Sequence, residues 1–172
     1  FDSYNKLVVQ CDKIFEETDF RFLYNKERGL FHIGYNATFN KIDSSYYDFL
    51  ASETNIISFI AVLKNQAPKK HWFHLNRKFV KSGSNPVLYS WGGSLFEHVT
   101  SLIFLDVTNE SLLGKNARAA VKAHISYAKK YGIPWGMGES AYNLLNANKN
   151  YEYQTFGVPN IGLKRSLGDY LV

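Results

Sequence analysis

Apolar residues recur with a helical period in several stretches of this chain, separated by short aromatic runs and long polar connections. From Tyr4 to Glu17 the residues Leu7, Val8, Cys11, Ile14 and Phe15 share one helical face, with Asp2 or Ser3 placed to cap it. Phe20 to Asn25 and Leu30 to Tyr35 flank the turn signal Lys26-Glu27-Arg28-Gly29, which predicts a β-hairpin, and Asn36 to Asp43 reads as loop. The longest amphipathic stretch is Ser44 to Lys64, where Tyr46, Phe49, Leu50, Ile57, Ile60, Ala61 and Leu63 keep the period behind a cap at Asp43 or Ser44. Gln66 to Asn85 is a connection with Pro68 and Pro86 near its ends and a short strand expected near Trp72 and Phe73. Gly93 to Phe104 predicts a helix opened by glycines. Ser111 to Tyr131 predicts a cleaner one, striped by Ala117, Ala120, Val121, Ile125 and Ala128 and stopped by Gly132. A loop from Ile133 to Tyr142, an asparagine-rich stretch to Asn150 and an aromatic tail follow.

The pattern is mainly α: helices joined by long loops, with one short hairpin. At 172 residues the chain has the length of one domain with a real core. It also carries more apolar helix faces than a single helical layer can cover, and both ends read as cut. The expectation is a segment, 1–172, of a larger helical domain, accompanied by other domains of a longer polypeptide.

Charge narrows the partners. The net charge is +5, but the lysines and arginines come as isolated pairs, Lys69-Lys70, Lys129-Lys130 and Lys164-Arg165, rather than as a stripe. That pattern argues against nucleic acid. No run approaches the roughly 20 apolar residues of a spanning helix. The single cysteine, Cys11, excludes an internal disulfide. Phosphate-cradling glycine loops are missing, so no nucleotide cofactor is expected.

Three glutamates stand beside aromatic and small residues: Glu53 in YYDFLASE, Glu97 in SWGGSLFE and Glu139 in IPWGMGESAYN. Carboxylates transfer protons or attack carbon, aromatic faces stack on sugar rings, and glycines admit close backbone approach. Glu139, between glycines and Ser140, reads either as a catalytic carboxylate on a rigid loop or as an acid stabilised by the start of a following helix. Glu53 reads as mid-helix on the buried face, either catalytic with a raised pKa or paired as a structural acid. Glu97 reads either as an acid that supports the site or binds a sugar hydroxyl, or as the catalytic acid in place of Glu53, with Asp48 and Asp169 further possibilities that are structural by default. Trp91 and Trp135, each followed by glycine, and Tyr47, Tyr142 and their neighbours are candidate stacking platforms, though each aromatic taken singly is more often core. His71 and His74 are three apart, but no cysteine or HExxH pattern joins them, so no metal is expected.

Six motifs in order carry a family resemblance: LYNKERGLFHIGYN (23–36), DSSYYDFLASE (43–53), KKHWFHLNR (69–77), SWGGSLFE (90–97), IPWGMGESAYN (133–143) and FGVPNIGLKRSLGDYLV (156–172). Together they resemble the middle, transglycosylating domain of cyclic β-1,2-glucan synthases and, more loosely, endo-β-1,2-glucanases. The resemblance implies an (α/α)6 toroid, of which this length makes about half. It implies a retaining reaction on linear β-1,2-glucan, with Glu139 as nucleophile and Glu53 as acid/base. Around that pair the residues themselves offer a substrate-binding set of Glu97, Trp91, Trp135, Tyr47, Tyr142, Asp48 and Ser140, and no cofactor or metal is expected. The expected location is the cytoplasmic side of the inner membrane, within a multidomain synthase, or a secreted or periplasmic one for a glucanase. Two departures appear. Relatives commonly have serine before the acid at Glu139, where this chain has Gly138. The motif Ser90-Trp91-Gly92-Gly93 has a glycine where synthases often have serine, a glucanase-like trait.

Overall fold

The computed structural model describes residues 2–138, 140–154 and 157–163, with backbone alone for 140–144 and 152–154. It is mainly α with several small sheets, and it divides into two compact units: Phe1–Tyr47 with Ser58–His74, and Asp48–Ile57 with Leu75–Val172.

In the first unit, helix α1 (Asp2–Glu17) follows the expected periodicity, yet none of its residues is buried. Its C-terminal carbonyls are held instead. The Lys64 ammonium donates to the carbonyls of Phe15, Glu16 (3.1 Å) and Thr18 (3.0 Å), placing a cation where the helix dipole is negative. The predicted hairpin forms from β1 (Tyr24–Asn25) and β2 (Leu30–His32). Gly29 sits at φ +66°, and the Arg28 amide donates to the Asn25 side chain at 2.9 Å. Strands β3 (Tyr35–Asn36) and β4 (Lys41–Ile42) make a minimal hairpin inside the segment expected as loop, and β5 (Tyr46–Tyr47) adds to β2, with Phe31 opposite Tyr47.

Helix α2 is confined to Asn55–Leu63, so the helix expected over Ser44 to Lys64 is a correction. The aromatic pair at 46–47 joins a sheet. Further on, the Asp48 carbonyl accepts from the Asn76 amide at 2.6 Å, and the Leu50 amide donates to the Asn76 carbonyl at 3.0 Å. Long-range pairing satisfies the backbone that a helix would have satisfied locally. Glu53 therefore lies in the turn before α2 rather than mid-helix.

The strand expected at Trp72 and Phe73 is instead helix α3 (Lys70–His74), started by Pro68, whose carbonyl accepts from the His71 amide at 2.8 Å. His71 is a core residue: Nδ1 meets the Gly29 carbonyl at 2.7 Å, Nε2 meets Ser58 Oγ at 2.9 Å, and the ring stands edge-on to Tyr24 and Phe31. Burial lowers its pKa. Around it Phe31, Ala61 and Ala67 form the unit's core.

The second unit opens with hairpin β6 (Phe79–Ser82) and β7 (Asn85–Leu88), turned by Gly83 at φ +60°. Pro86 and the polar composition hide this pair from a periodicity reading. Helices α4 (Leu95–Val99) and α5 (Ser101–Phe104) fall where expected. Helix α6 (Leu112–Tyr131) begins at Ser111, whose hydroxyl accepts from the Gly114 amide, and ends at Gly132 in the left-handed region. The face of α6 that packs is not the full expected stripe: Ala119, Ala120 and Ala123 meet Val87, Val158 and Ile161, while Ile125 is exposed. The asparagine-rich stretch is a turn between β8 (Ser140–Leu145) and β9 (Tyr151–Gln154), closed by the Asn146 amide on the Asn150 carbonyl at 2.9 Å. Ser140 and Tyr142, expected in a loop, thus belong to a strand.

Candidate active site

Loop 90–94, Ser-Trp-Gly-Gly-Ser, is folded around one carboxylate. Glu97 is buried, and its oxygens accept from the Gly92 amide (3.0 Å to both), the Ser94 amide (2.9 Å), the Ser94 hydroxyl (3.0 Å) and the Ser90 hydroxyl (3.1 Å). The Ser94 hydroxyl in turn accepts from the Glu97 amide, completing a capping box at the start of α4. No ion pair involves Glu97 among the described residues. Its charge is solvated by loop donors, an arrangement that serves a buried carboxylate in place of water.

The same loop is clamped from its other side. The Ser90 amide donates to the Ile161 carbonyl, and the Leu163 amide donates to the Ser90 carbonyl at 2.9 Å. The Gly93 carbonyl accepts from the Val158 amide at 2.8 Å and from His124 Nε2 at 3.1 Å. Backbones here cross so closely that a Cβ on Gly93 would lie 2.4 Å from the Val158 carbonyl, and one on Gly157 would lie 2.0 Å from the Gly93 carbonyl. Ser90, Gly92, Gly93 and Ser94 are all buried, and Trp91 is half-buried.

Trp91 packs against the segment that leads to Glu53, its ring meeting Phe49 edge-on at 5.3 Å. Asp48 Oδ1 is buried with no hydrogen-bond partner among the described residues, and burial pushes the carboxyl's pKa up. Glu53 follows five residues later. Residues 49–52 and 54–55 are buried and Glu53 itself is half-buried, with the Ser52 hydroxyl donating to it at 3.1 Å.

The third motif joins through the main chain: the Leu95 amide donates to the Met137 carbonyl at 2.8 Å, which sets loop 133–138 beside the start of α4. Trp135 in that loop is 55% exposed, and Gly136 takes φ +91°. Glu139 lies outside the described residues, and its distance from Glu53 with it; Asp169 lies outside them too, and of Ser140 and Tyr142 only the backbone is described. Tyr47 belongs to the first unit, on β5. Among the described residues the three glutamate motifs are thus brought into one unit, tied to each other by the Phe49–Trp91 ring contact and the Leu95–Met137 hydrogen bond.

Beneath the loop lies a polar set that sequence reasoning missed. The Asn116 side chain accepts from the Leu88 amide at 2.8 Å and meets His98 Nδ1 at 3.1 Å through its nitrogen. His98 and His124 are fully buried, and burial holds their pKa values down to about 3 and about 4. Both rings are neutral near pH 7. The only sequence signal was a histidine interrupting the alanine-rich side of α6.

A family model described as "Glycoamylase: Putative glucoamylase" matches residues 45–168, which include all three motifs. The chain belongs to this glycoamylase family. Over 154 residues, 90% of its length, it is 38% identical to the cyclic beta-(1,2)-glucan synthase NdvB of Rhizobium meliloti (strain 1021). Those residues are 5% of that relative, so this glycoamylase-family chain spans a small part of it. The kinship to glucan synthases that the six ordered motifs implied is thereby found along nearly the whole chain.

Proposed function

We propose that this chain supplies the acid pair of a retaining β-1,2-glucan transglycosylase that closes linear glucan into rings. The observation that carries the reading is the meeting of the Glu53, Glu97 and Glu139 motif segments in one unit, through Phe49–Trp91 and Leu95–Met137. Its kinship to a cyclic glucan synthase supports the substrate class.

In this reading Glu139 attacks the anomeric carbon, and Glu53 protonates the departing glycosidic oxygen, directly or through a substrate hydroxyl. A covalent glucosyl ester results. A 2-hydroxyl from the other end of the same chain then displaces Glu139 and yields its proton to Glu53, which restores both acids. Half-burial of Glu53 among buried neighbours suits an acid that must hold its proton until the bond breaks. Trp91, Trp135, Tyr47 and Tyr142 stack on glucose rings, and Asp48 and Ser140 take hydroxyls. Stacking keeps water from competing with the sugar acceptor. The surrounding architecture is an (α/α)6 toroid to which this chain contributes about half, in a multidomain synthase at the cytoplasmic face of the inner membrane.

The test is product analysis after incubating the intact polypeptide with linear β-1,2-glucan. Rings lack a reducing end and weigh one water less than linear chains of the same length. Glu139→Gln and Glu53→Gln should each abolish them. The hydrolytic alternative, an endo-β-1,2-glucanase, draws on the matched family's glucoamylase description and the glycine in the Ser90–Gly93 motif. It requires new reducing ends and no rings. Glucan binding without any product would leave a scaffold role and end the enzyme reading.

A further inference from the structure

Glu97 has no part in the bond-breaking steps above, yet it is the most heavily hydrogen-bonded carboxylate among the described residues. Both of its oxygens turn to donors of loop 90–94, and those donors are the ones that fix where the Trp91 backbone runs. Two adjacent glycines would otherwise leave that backbone loosely determined. On the opposite side the Gly93 carbonyl is held by Val158 and His124, so the loop is gripped at both faces. Trp91 alone in the loop is not fully buried, and its ring packs edge-on against Phe49.

We propose that Glu97 is a positioning residue for glucan binding: its carboxylate sets the path of loop 90–94 and so presents Trp91, packed edge-on against Phe49, to the sugar chain. The substrate named here rests on the glucan-acting reading above; the link from Glu97 to Trp91 does not.

Glu97→Gln is the incisive change. The Gly92 amide lies 3.0 Å from both carboxylate oxygens, so whichever way the new amide is flipped, that N–H faces an NH2 group. In the intact polypeptide labelled with 5-fluorotryptophan, the Trp91 resonance is the one lost in Trp91→Phe. Glu97→Gln should shift it under conditions where circular dichroism shows full folding. The KM for linear β-1,2-glucan should rise about tenfold, the size of one aromatic contact, with kcat changed less. The double variant Glu97→Gln/Trp91→Phe should have the KM of Trp91→Phe alone. Additive effects, or a lowered melting temperature with KM and the resonance unmoved, would show a purely structural role and overturn the proposal. If Glu97→Gln does not fold, Ser94→Ala removes one donor and permits the same three measurements. A wild type without turnover on glucan refutes the functional reading, while an unmoved Trp91 resonance refutes the Glu97 link on its own.

Discussion

Buried imidazoles, His71 among them, shape how this protein responds to acid. His98 and His124 have pKa values depressed to about 3 and about 4 by burial, against an ordinary value near 6.5. Between those limits the unfolded chain binds protons that the folded one refuses. The stability they contribute is therefore complete above about pH 6.5 and erodes as pH falls toward 4 and then 3. Calorimetric melting temperatures should decline steeply between pH 6.5 and 4, and His124→Asn should flatten that slope. Asp48 works in the opposite sense: its raised pKa makes the folded state the better proton binder just above the ordinary aspartate value, so its share falls as pH rises there. Gly93 gives a second residue-level prediction. At φ +68°, with the Val158 carbonyl 2.4 Å from where a Cβ would sit, Gly93→Ala should cost about 2 kcal/mol or more by denaturant titration.

At the scale of elements, helix ends determined by neighbouring residues were legible and pairings across long separations were not. Ser111 and Gly132 mark α6 within a residue, because a cap is a local hydrogen bond and a left-handed stop is a local conformation. The stretch from Tyr46 to Glu53 has an equally good helical period, but its backbone is claimed by β2 and by Asn76, which no local pattern announces. Hairpin β6–β7 was hidden by Pro86, and β8–β9 by a turn rich in asparagine. Asp2 and Ser3, expected to cap α1, lie within it, and what secures its far end was not legible either. Lys64→Met removes the ammonium from three carbonyls there and should cost about 1 kcal/mol. Faster amide exchange confined to the last turn of α1 would register it.

For the whole molecule, the apolar faces that the sequence displayed in excess are still displayed in the structure. Leu7, Val8, Val9, Ile14 and Phe15 on α1 are all at least 45% exposed. Contiguous apolar surface of this kind drives association. Expressed as these 172 residues, the chain should elute above its monomer mass, and Leu7→Lys with Ile14→Lys should return it to monomer by light scattering. The candidate site was legible as three short motifs because its chemistry is concentrated in acids beside Trp and Gly. What braces the Glu97 loop from beneath was not, since His98, Asn116 and His124 come from separate parts of the chain and look like ordinary helix residues.

The crossing of main chains at Gly93, Gly157 and Gly162 separates two reasons for keeping a residue. Each position would drive a methyl group to within 2.6 Å of a neighbouring backbone atom. A randomised library screened for soluble expression alone, with no sugar present, should therefore recover glycine at all three sites. A screen for ring formation would add further requirements, beginning with the indole at position 91.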